Sequence, residues 1–397
     1  MTNPFAKKLA ANPLLLQIYA PSFLTSFSRG LLIPILPLYL RDLGASYVMI
    51  GLVMAAQELG TLLADIPAGV LLRRLGRKYA MLLGLAAFVV ATTLLFAAGS
   101  VVLAMALRFL AGLGIALFNV SRHQYLAEMV KQETRGRTIA GFGGINRIGV
   151  FLGPAVGGAV ATAFGLRTPF LLFGITGGLA LTLVLLFVRR TRLAIPAGKG
   201  RHALLTTLKE YYRLLSVAGV AQLFMQTIRA GRGVIIPLIG ADLLGLDVAA
   251  IGAILSAAAA IDMTLFIPAG WLMDRFGRKY AIVPSVLIQA LGMALLPLVA
   301  GFGGLLLVSC LLGFGNGLGA GTMMTLGADL SPDHARSEFL GAWRFIGDSG
   351  GMLGPVIVGG VADLLVLSAA ALGLAACGLI AGLVFARWVP EPLKPKL

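Results

Sequence analysis

Ile66-Pro-Ala-Gly-Val-Leu-Leu-Arg-Arg-Leu-Gly-Arg-Lys-Tyr-Ala80 recurs as Ile267-Pro-Ala-Gly-Trp-Leu-Met-Asp-Arg-Phe-Gly-Arg-Lys-Tyr-Ala281, with eleven of fifteen positions identical at an offset of 201 residues. The same offset aligns Ile50-Gly51 with Ile251-Gly252, Gly112 and Gly114 with Gly313 and Gly315, Arg135 with Arg336, and Gly153-Pro154 with Gly354-Pro355. One register running through half of a 397-residue chain marks an internal duplication. The halves run over 1–188 and 214–397, joined by a basic linker, 189–213, that contains Pro196, Gly198 and Gly200.

Each half is apolar enough to sit in lipid. Hydrophobic residues make up 58% of the chain and charged ones 12%, and the mean hydropathy is +0.94, far from soluble-globular averages. A hydrocarbon core about 30 Å thick takes roughly 20 apolar residues per helix, so the length holds about twelve spans and little else. The apolar runs are continuous rather than alternating, which disfavours a transmembrane β-barrel. Spans are predicted at 14–40, 47–72, 79–98, 101–126, 138–163 and 168–188, then at 214–240, 248–272, 279–300, 303–328, 338–362 and 367–387. The expected fold is all-α and integral to the membrane, with twelve transmembrane helices in two pseudo-symmetric six-helix bundles. An even number of spans per half makes the repeats parallel, about an axis along the membrane normal, and places a substrate site between the halves near mid-depth.

The net charge of +16 follows membrane topology rather than nucleic acid. With the N-terminus in the cytoplasm, 23 of the 32 Lys and Arg fall in cytoplasmic segments, seven in spans and two, Arg41 and Arg167, outside, in keeping with the positive-inside rule. Both termini are then cytoplasmic, and Met1 to Asn12, with no cleavage site after a short apolar core, is read as retained. Cys310 and Cys377 fall in spans as small buried hydrophobes, and His123, His202 and His334 show no metal-ligand spacing. The glycine-rich stretch from Gly313 to Gly321 lacks a Walker lysine and reads as a packing seam through Gly313, Gly317 and Gly321. No nucleophile and base stand together, so neither an enzyme nor a cofactor is expected.

An ionised side chain at the bilayer centre costs about 2.5 to 3.5 kcal/mol even on a lenient scale. The spans nevertheless hold Arg29, Glu58, Asp65, Arg108, Arg122, Arg147, Arg229, Arg232, Asp262, Arg344 and Asp348. These must pair or face a wet cavity. Ser22, Ser26 and Arg29 in the first span match Gln222, Gln226 and Arg229 in the seventh at an offset of 200, each trio on one helical stripe. Two equivalent stripes suit a cavity lined by both halves; interhelical hydrogen bonding is the alternative, and Arg232 could snorkel to the interface. Glu58 and Asp65 share a face of the second span, as proton carriers or in permanent bridges to Arg29 or Arg108. Arg147 and Asp348 occupy equivalent repeat positions, which fits a bridge between the halves or contact with substrate; Arg344, one turn before Asp348, could simply neutralise it. Asp262 is the remaining candidate proton or cation site.

These motifs resemble the major facilitator superfamily, over essentially the whole chain. The loop after the second span is similar to its G-x-L-x-D-R-x-G-R-K signature. Gly69, Leu71, Arg74, Gly76, Arg77 and Lys78 match the pattern, and Gly270, Leu272, Asp274, Arg275, Gly277, Arg278 and Lys279 match it in full. The first copy departs at Arg73, where the pattern has an Asp that in the family helps latch the halves across the cytoplasmic face. Arg108 followed by Gly112 and Gly114 resembles the arginine motif of proton-coupled members. Gly149, Gly153-Pro154 and Gly157-Gly158 resemble the antiporter signature of drug/proton exchangers, echoed by Gly354-Pro355, although Phe142 separates Gly141 from Gly143 where that signature begins.

The resemblance implies proton-coupled efflux of amphiphilic organic compounds by alternating access, powered by the proton gradient, from a monomer in a bacterial inner membrane. Its partners would be that small-molecule substrate, protons and membrane lipids. Arg29, Arg147 and Arg229 are expected to orient substrate in a cavity shared with Ser26, Gln222, Gln226, Arg344 and Asp348. Glu58, Asp65, Asp262 and Asp348 are the expected proton sites, modulated by Arg108. Seven span arginines against four acids suggest an anionic or zwitterionic substrate. The competing readings are a proton-coupled importer of sugars or organic acids, a flippase for lipids or lipid-linked sugars, and a membrane receptor that binds without transporting.

Overall fold

A computed structural model describes residues 14–129, 135–189 and 201–392. Met1 to Asn12, the Lys131 end of the basic Lys131–Arg137 loop, and Pro196, Gly198 and Gly200 of the linker lie outside them. The described residues are helical, with no strand. The first half contains α1 (Ala20–Leu32), α2 (Ile35–Asp42), α3 (Tyr47–Leu75), α4 (Arg77–Thr93), α5 (Val101–Met129), α6 (Arg135–Phe164) and α7 (Thr168–Phe187). The linker carries α8 (Arg201–Glu210). The second half contains α9 (Tyr212–Leu238), α10 (Val248–Thr264), α11 (Phe266–Phe276), α12 (Lys279–Leu295), α13 (Gly301–Leu318), α14 (Thr322–Leu330), α15 (Arg336–Leu364) and α16 (Leu367–Arg387).

Among these residues ten spans are long and apolar enough to cross a membrane, and eleven if α1 and α2, bent by 43°, form one. Pro34 lies in that bend; it supplies no N–H to the preceding turn and its ring crowds it. The remaining helix of the expected twelve is α9, 27 residues long but made too polar to qualify by Gln222, Gln226, Arg229 and Arg232. Two expected spans are each split. α10 gives way to α11 at Leu265, and α13 to α14 across Gly319–Gly321. Gly321, at φ 78°, turns the chain instead of extending the expected seam, whereas Gly313 and Gly317 do pack as expected. A Cβ on them would lie 2.2 Å from the Ala258 carbonyl and 2.9 Å from that of Asp262.

The duplication is visible atom by atom. Ser46 accepts from the Met49 N–H and Asp247 from the Ala250 N–H, capping α3 and α10, whose first amides have no intrahelical acceptor. Lys78 Nζ donates to the Leu185 carbonyl at 2.7 Å and Lys279 Nζ to that of Ala386 at 3.0 Å. α1 packs on α6 and α7 as α9 packs on α15 and α16, while α3 and α4 flank α5 as α10 and α12 flank α13. The halves meet along two seams, α3 with α15 and α6 with α10. Outward-facing Val102, Ile175 and Leu307 are 70%, 70% and 73% exposed, an apolar surface suited to lipid rather than water.

Candidate functional site

The polar residues of the first half converge on a cavity of about 300 Å³ lined by Ser26, Arg29, Gln57, Glu58, Thr92 and Arg108 among others. Arg29 is exposed to it, whereas Gln57, Thr92 and Arg108 are buried. Gln57 Oε1, Thr92 Oγ1 and the Arg108 Nε–H have no hydrogen-bond partner in the protein, and buried polar atoms left so cost roughly 1–3 kcal/mol each until something pairs with them. Ser26 donates to Asn146 Oδ1 at 2.5 Å. Arg122, buried at the Ser22 end of the same α1 stripe, stacks between Phe118 and Phe142 at 5.0 and 4.8 Å and donates to Ser22 and Asn119. Its charge is thus held by rings and neutral oxygens.

The matching stripe on α9 faces the equivalent helix, α15, where Gly347 stands at the repeat position of Asn146. Gln222 is fully buried and lies against Gly347 of α15, so it does not face an open cavity as expected. Gln226 accepts from Arg229 Nη1 at 3.3 Å, and Arg229 Nη2 donates to the Gly319 carbonyl at 2.9 Å. That carbonyl is available because α13 ends there, the use to which broken membrane helices put exposed backbone. Arg232 does not snorkel: it donates to the Leu312 carbonyl at 3.2 Å.

Charge pairing across the halves differs from the repeat-based expectation. Arg147 binds Asp262 Oδ2 at 2.7 Å, not Asp348, and its guanidinium lies 4.7 Å above the Phe266 ring. Asn316 Nδ2 donates to the other Asp262 oxygen at 3.0 Å. Arg344 reaches across to Asp65 at 3.8 Å rather than serving Asp348 alone. Asp348 lies within electrostatic reach of Arg344, Asp65 and Glu58, charges drawn from both halves. Equivalent repeat positions lie at equal depth, but the way the bundles face each other decides which of them meet.

The end away from the basic loops is closed by residues to which the sequence reading assigned no role. Asp242 pairs with Arg41 and accepts from Tyr47 Oη at 2.9 Å. Asp363, at the end of α15, accepts the Tyr47 and Val48 N–H groups at 3.0 and 2.9 Å. Thr162, at the end of α6, accepts the Ala249 N–H at 3.0 Å. Thr162 and Asp363 are 201 residues apart, so each half caps the helix N-terminus of the other. The offset could have exposed this pair, since both sit where a span ends on an oxygen acceptor. Charge-assisted hydrogen bonds are worth about 1.5–3 kcal/mol. Asp242→Asn is therefore expected to shift the chain about 10- to 100-fold toward a form open at this end, widening the distance between spin labels at Phe164→Cys and Leu365→Cys; an unchanged distance distribution would show that Asp242 is no latch.

At the basic end the two motif copies diverge. Arg278 binds Asp274 and Asp329, both at 2.7 Å, and Glu391 accepts the Arg278 and Lys279 amides. Burial would lower the Arg278 pKa, but the hydrogen bonds it donates to its two acids hold it above the usual value. Gly76 and Gly277, at φ 76° and 113°, make the turns at which α3 and α11 end, a conformation that favours glycine. Gly69 and Gly270 have open space around them. In the first copy Arg77 is buried, while Arg73 and Arg74 are exposed. The glycines of the bend motif are contact points: a Cβ on Gly149, Gly153 or Gly157 would meet the α1 backbone within 2.1–2.7 Å, one on Gly158 would meet Val248 across the halves, and one on Gly354 would meet α9. Pro154 and Pro355 lie inside α6 and α15.

The profile of the Major Facilitator Superfamily matches residues 20–228 and again 218–397. An uncharacterized MFS-type transporter of Methanocaldococcus jannaschii is 23% identical over 354 residues, 88% of this chain and 91% of its own. The quinolone resistance protein NorA of Staphylococcus aureus is 26% identical over 187 residues, 47% of this chain and 48% of NorA. Among solved structures, the nucleoside transporter NupG superposes with a TM-score of 0.79 at 14% identity, covering 94% of this chain and 99% of NupG, and a POT family transporter with 0.74 at 14% identity, covering 95% and 96%. The chain is an integral membrane transporter, not an enzyme, and belongs to the major facilitator superfamily.

Proposed function

We propose that the protein exports amphiphilic organic compounds from the cytoplasm in exchange for protons, by alternating access between its two halves. The observation that carries this reading is the Arg344–Asp65 pair that joins the halves at 3.8 Å, with Asp348 within electrostatic reach of both and of Glu58. Carboxylates whose neighbouring charges change as the halves move can take up and release protons in step with that motion. With basic loops on the cytoplasmic side, closure at the opposite end corresponds to an inward-facing state, the state in which an exporter collects its cargo. A quinolone resistance protein among the relatives favours efflux of drug-like compounds over uptake. The protein then works in a bacterial inner membrane with both termini in the cytoplasm, as a monomer, drawing on the proton gradient. Arg29 and Arg108 facing one cavity suit an anionic or zwitterionic substrate.

The test uses everted vesicles acidified inside by respiration, with a dye reporting lumenal pH. Anionic amphiphiles are expected to alkalinise the lumen, and Glu58→Gln to abolish the response. Arg29→Ala should weaken anionic substrates more than neutral ones. A native protein that answers no amphiphile would overturn the export reading, and equal loss for both classes would reject the anionic preference.

A further inference from the structure

On the outer surface of the first half a groove of about 490 Å³ runs over α5 between α3 and α4. Ala64, Pro67 and Val70 form one wall, Gly84 and Ala87 the other, and Arg74 stands at its basic end. This face looks to lipid. Val70 and Leu83 are 41% and 49% exposed, and the groove's floor residue Leu117 lies nine positions from Arg108, on the opposite side of α5 from the central cavity. From Ala64 to Arg74 the groove descends about 15 Å at 1.5 Å per residue, the depth of one leaflet of a core about 30 Å thick.

The duplicated half supplies an internal control. At the offset of 201, Ala64, Val70, Gly84, Ala87 and Leu113 correspond to the bulkier Leu265, Trp271, Ser285, Ile288 and Phe314, and only Leu83 to a smaller residue, Pro284. The mouth differs as well. In the second half Arg275 lies over Trp271 and Phe276, at 5.3 and 5.7 Å, and Asp274 binds Arg278. In the first half Val70 and Leu75 stand where those rings are, and Arg73 stands where that acid is. The half with the slimmer groove lining also has the more cationic mouth.

We infer that this groove binds one anionic phospholipid from the leaflet on the basic side, with an acyl chain along α3 and α4 and the phosphate at Arg73 and Arg74. The apolar walls recognise the chain. The two exposed guanidiniums, each able to donate two parallel hydrogen bonds, recognise the phosphate.

Native mass spectrometry of the full chain, titrated with phosphatidylglycerol or with phosphatidylcholine of the same acyl chains, tests this. One phosphatidylglycerol should bind in preference to phosphatidylcholine. Arg73→Asp with Arg74→Ala should weaken it by at least about 25-fold, taking about fivefold for each arginine near an anionic headgroup. Val70→Trp, which copies the second half and leaves both arginines, should also weaken binding, and Arg275→Ala should not. Equal binding of the two lipids, undiminished binding in the double variant or in Val70→Trp, or an equal loss in Arg275→Ala would each overturn the inference. All the substituted side chains are exposed, so these variants are expected to fold.

Discussion

Arg147→Ala should cut transport by at least about 30-fold, and the exchange Arg147→Asp with Asp262→Arg should recover much of the loss. The bridge spans the halves at 2.7 Å with its side chains 22% and 17% exposed, and Asp262 is also held by Asn316. Breaking a buried pair from one side strands a charge in low dielectric, a cost of about 3–5 kcal/mol when burial is complete, and about 2–4 kcal/mol at this exposure. Because Arg147 and Asp262 come from different halves, the penalty falls on the conformation that joins them, and the population of that state drops accordingly. A double-mutant cycle of Arg147→Ala and Asp262→Asn, read as transport rate and as label distances between the halves, should show strong non-additivity. Simple additivity would mean that the pair is not coupled.

The second large effect is expected at the crossings of the halves. A Cβ on Gly252 would lie 2.3 Å from the Pro154 carbonyl oxygen, and one on Gly51 would lie 2.4 Å from that of Pro355. The obstructing atoms are backbone, so no side chain can swing away, and Gly252→Val must push α10 off α6. Overpacking of this kind costs roughly 1–3 kcal/mol, and it is confined to the form closed at this end. Ser256, 6% exposed and bound by the Ala155 N–H at 2.9 Å, lies beneath the crossing. In a background with Cys310→Ala and Cys377→Ala, a Ser256→Cys reporter should react with an impermeant maleimide at least about tenfold faster once Gly252→Val is added, with transport lost. Labelling at the parent rate in a variant of unchanged helix content would show that the close approach does not control opening.

Much of this architecture is legible in the chain because duplication preserves local instructions. Ser46 and Asp247 cap equivalent helices, and Lys78 and Lys279 reach equivalent carbonyls. The splits at Leu265 and at Gly319–Gly321 escape a hydropathy reading, because a break of a few residues leaves the average over a span unchanged. The cavity shared by Arg29, Glu58 and Arg108 was foreseeable from the cost of burying charge, which forces such residues toward one another or toward water. The turning of Gln222 against α15 was not, since helical periodicity places a residue on a stripe without saying what that stripe faces.

By itself the sequence determined the membrane environment, the helical class and the twofold repeat, because hydropathy, span length and the offset of 201 act along one chain. The tertiary structure alone decided which charges meet, so that Arg147 found Asp262 and Arg344 found Asp65. It also decided which end is shut, through Asp242, Asp363 and Thr162. Those outcomes depend on how two rigid bundles are placed against each other, a relation between surfaces far apart in sequence that no local pattern encodes.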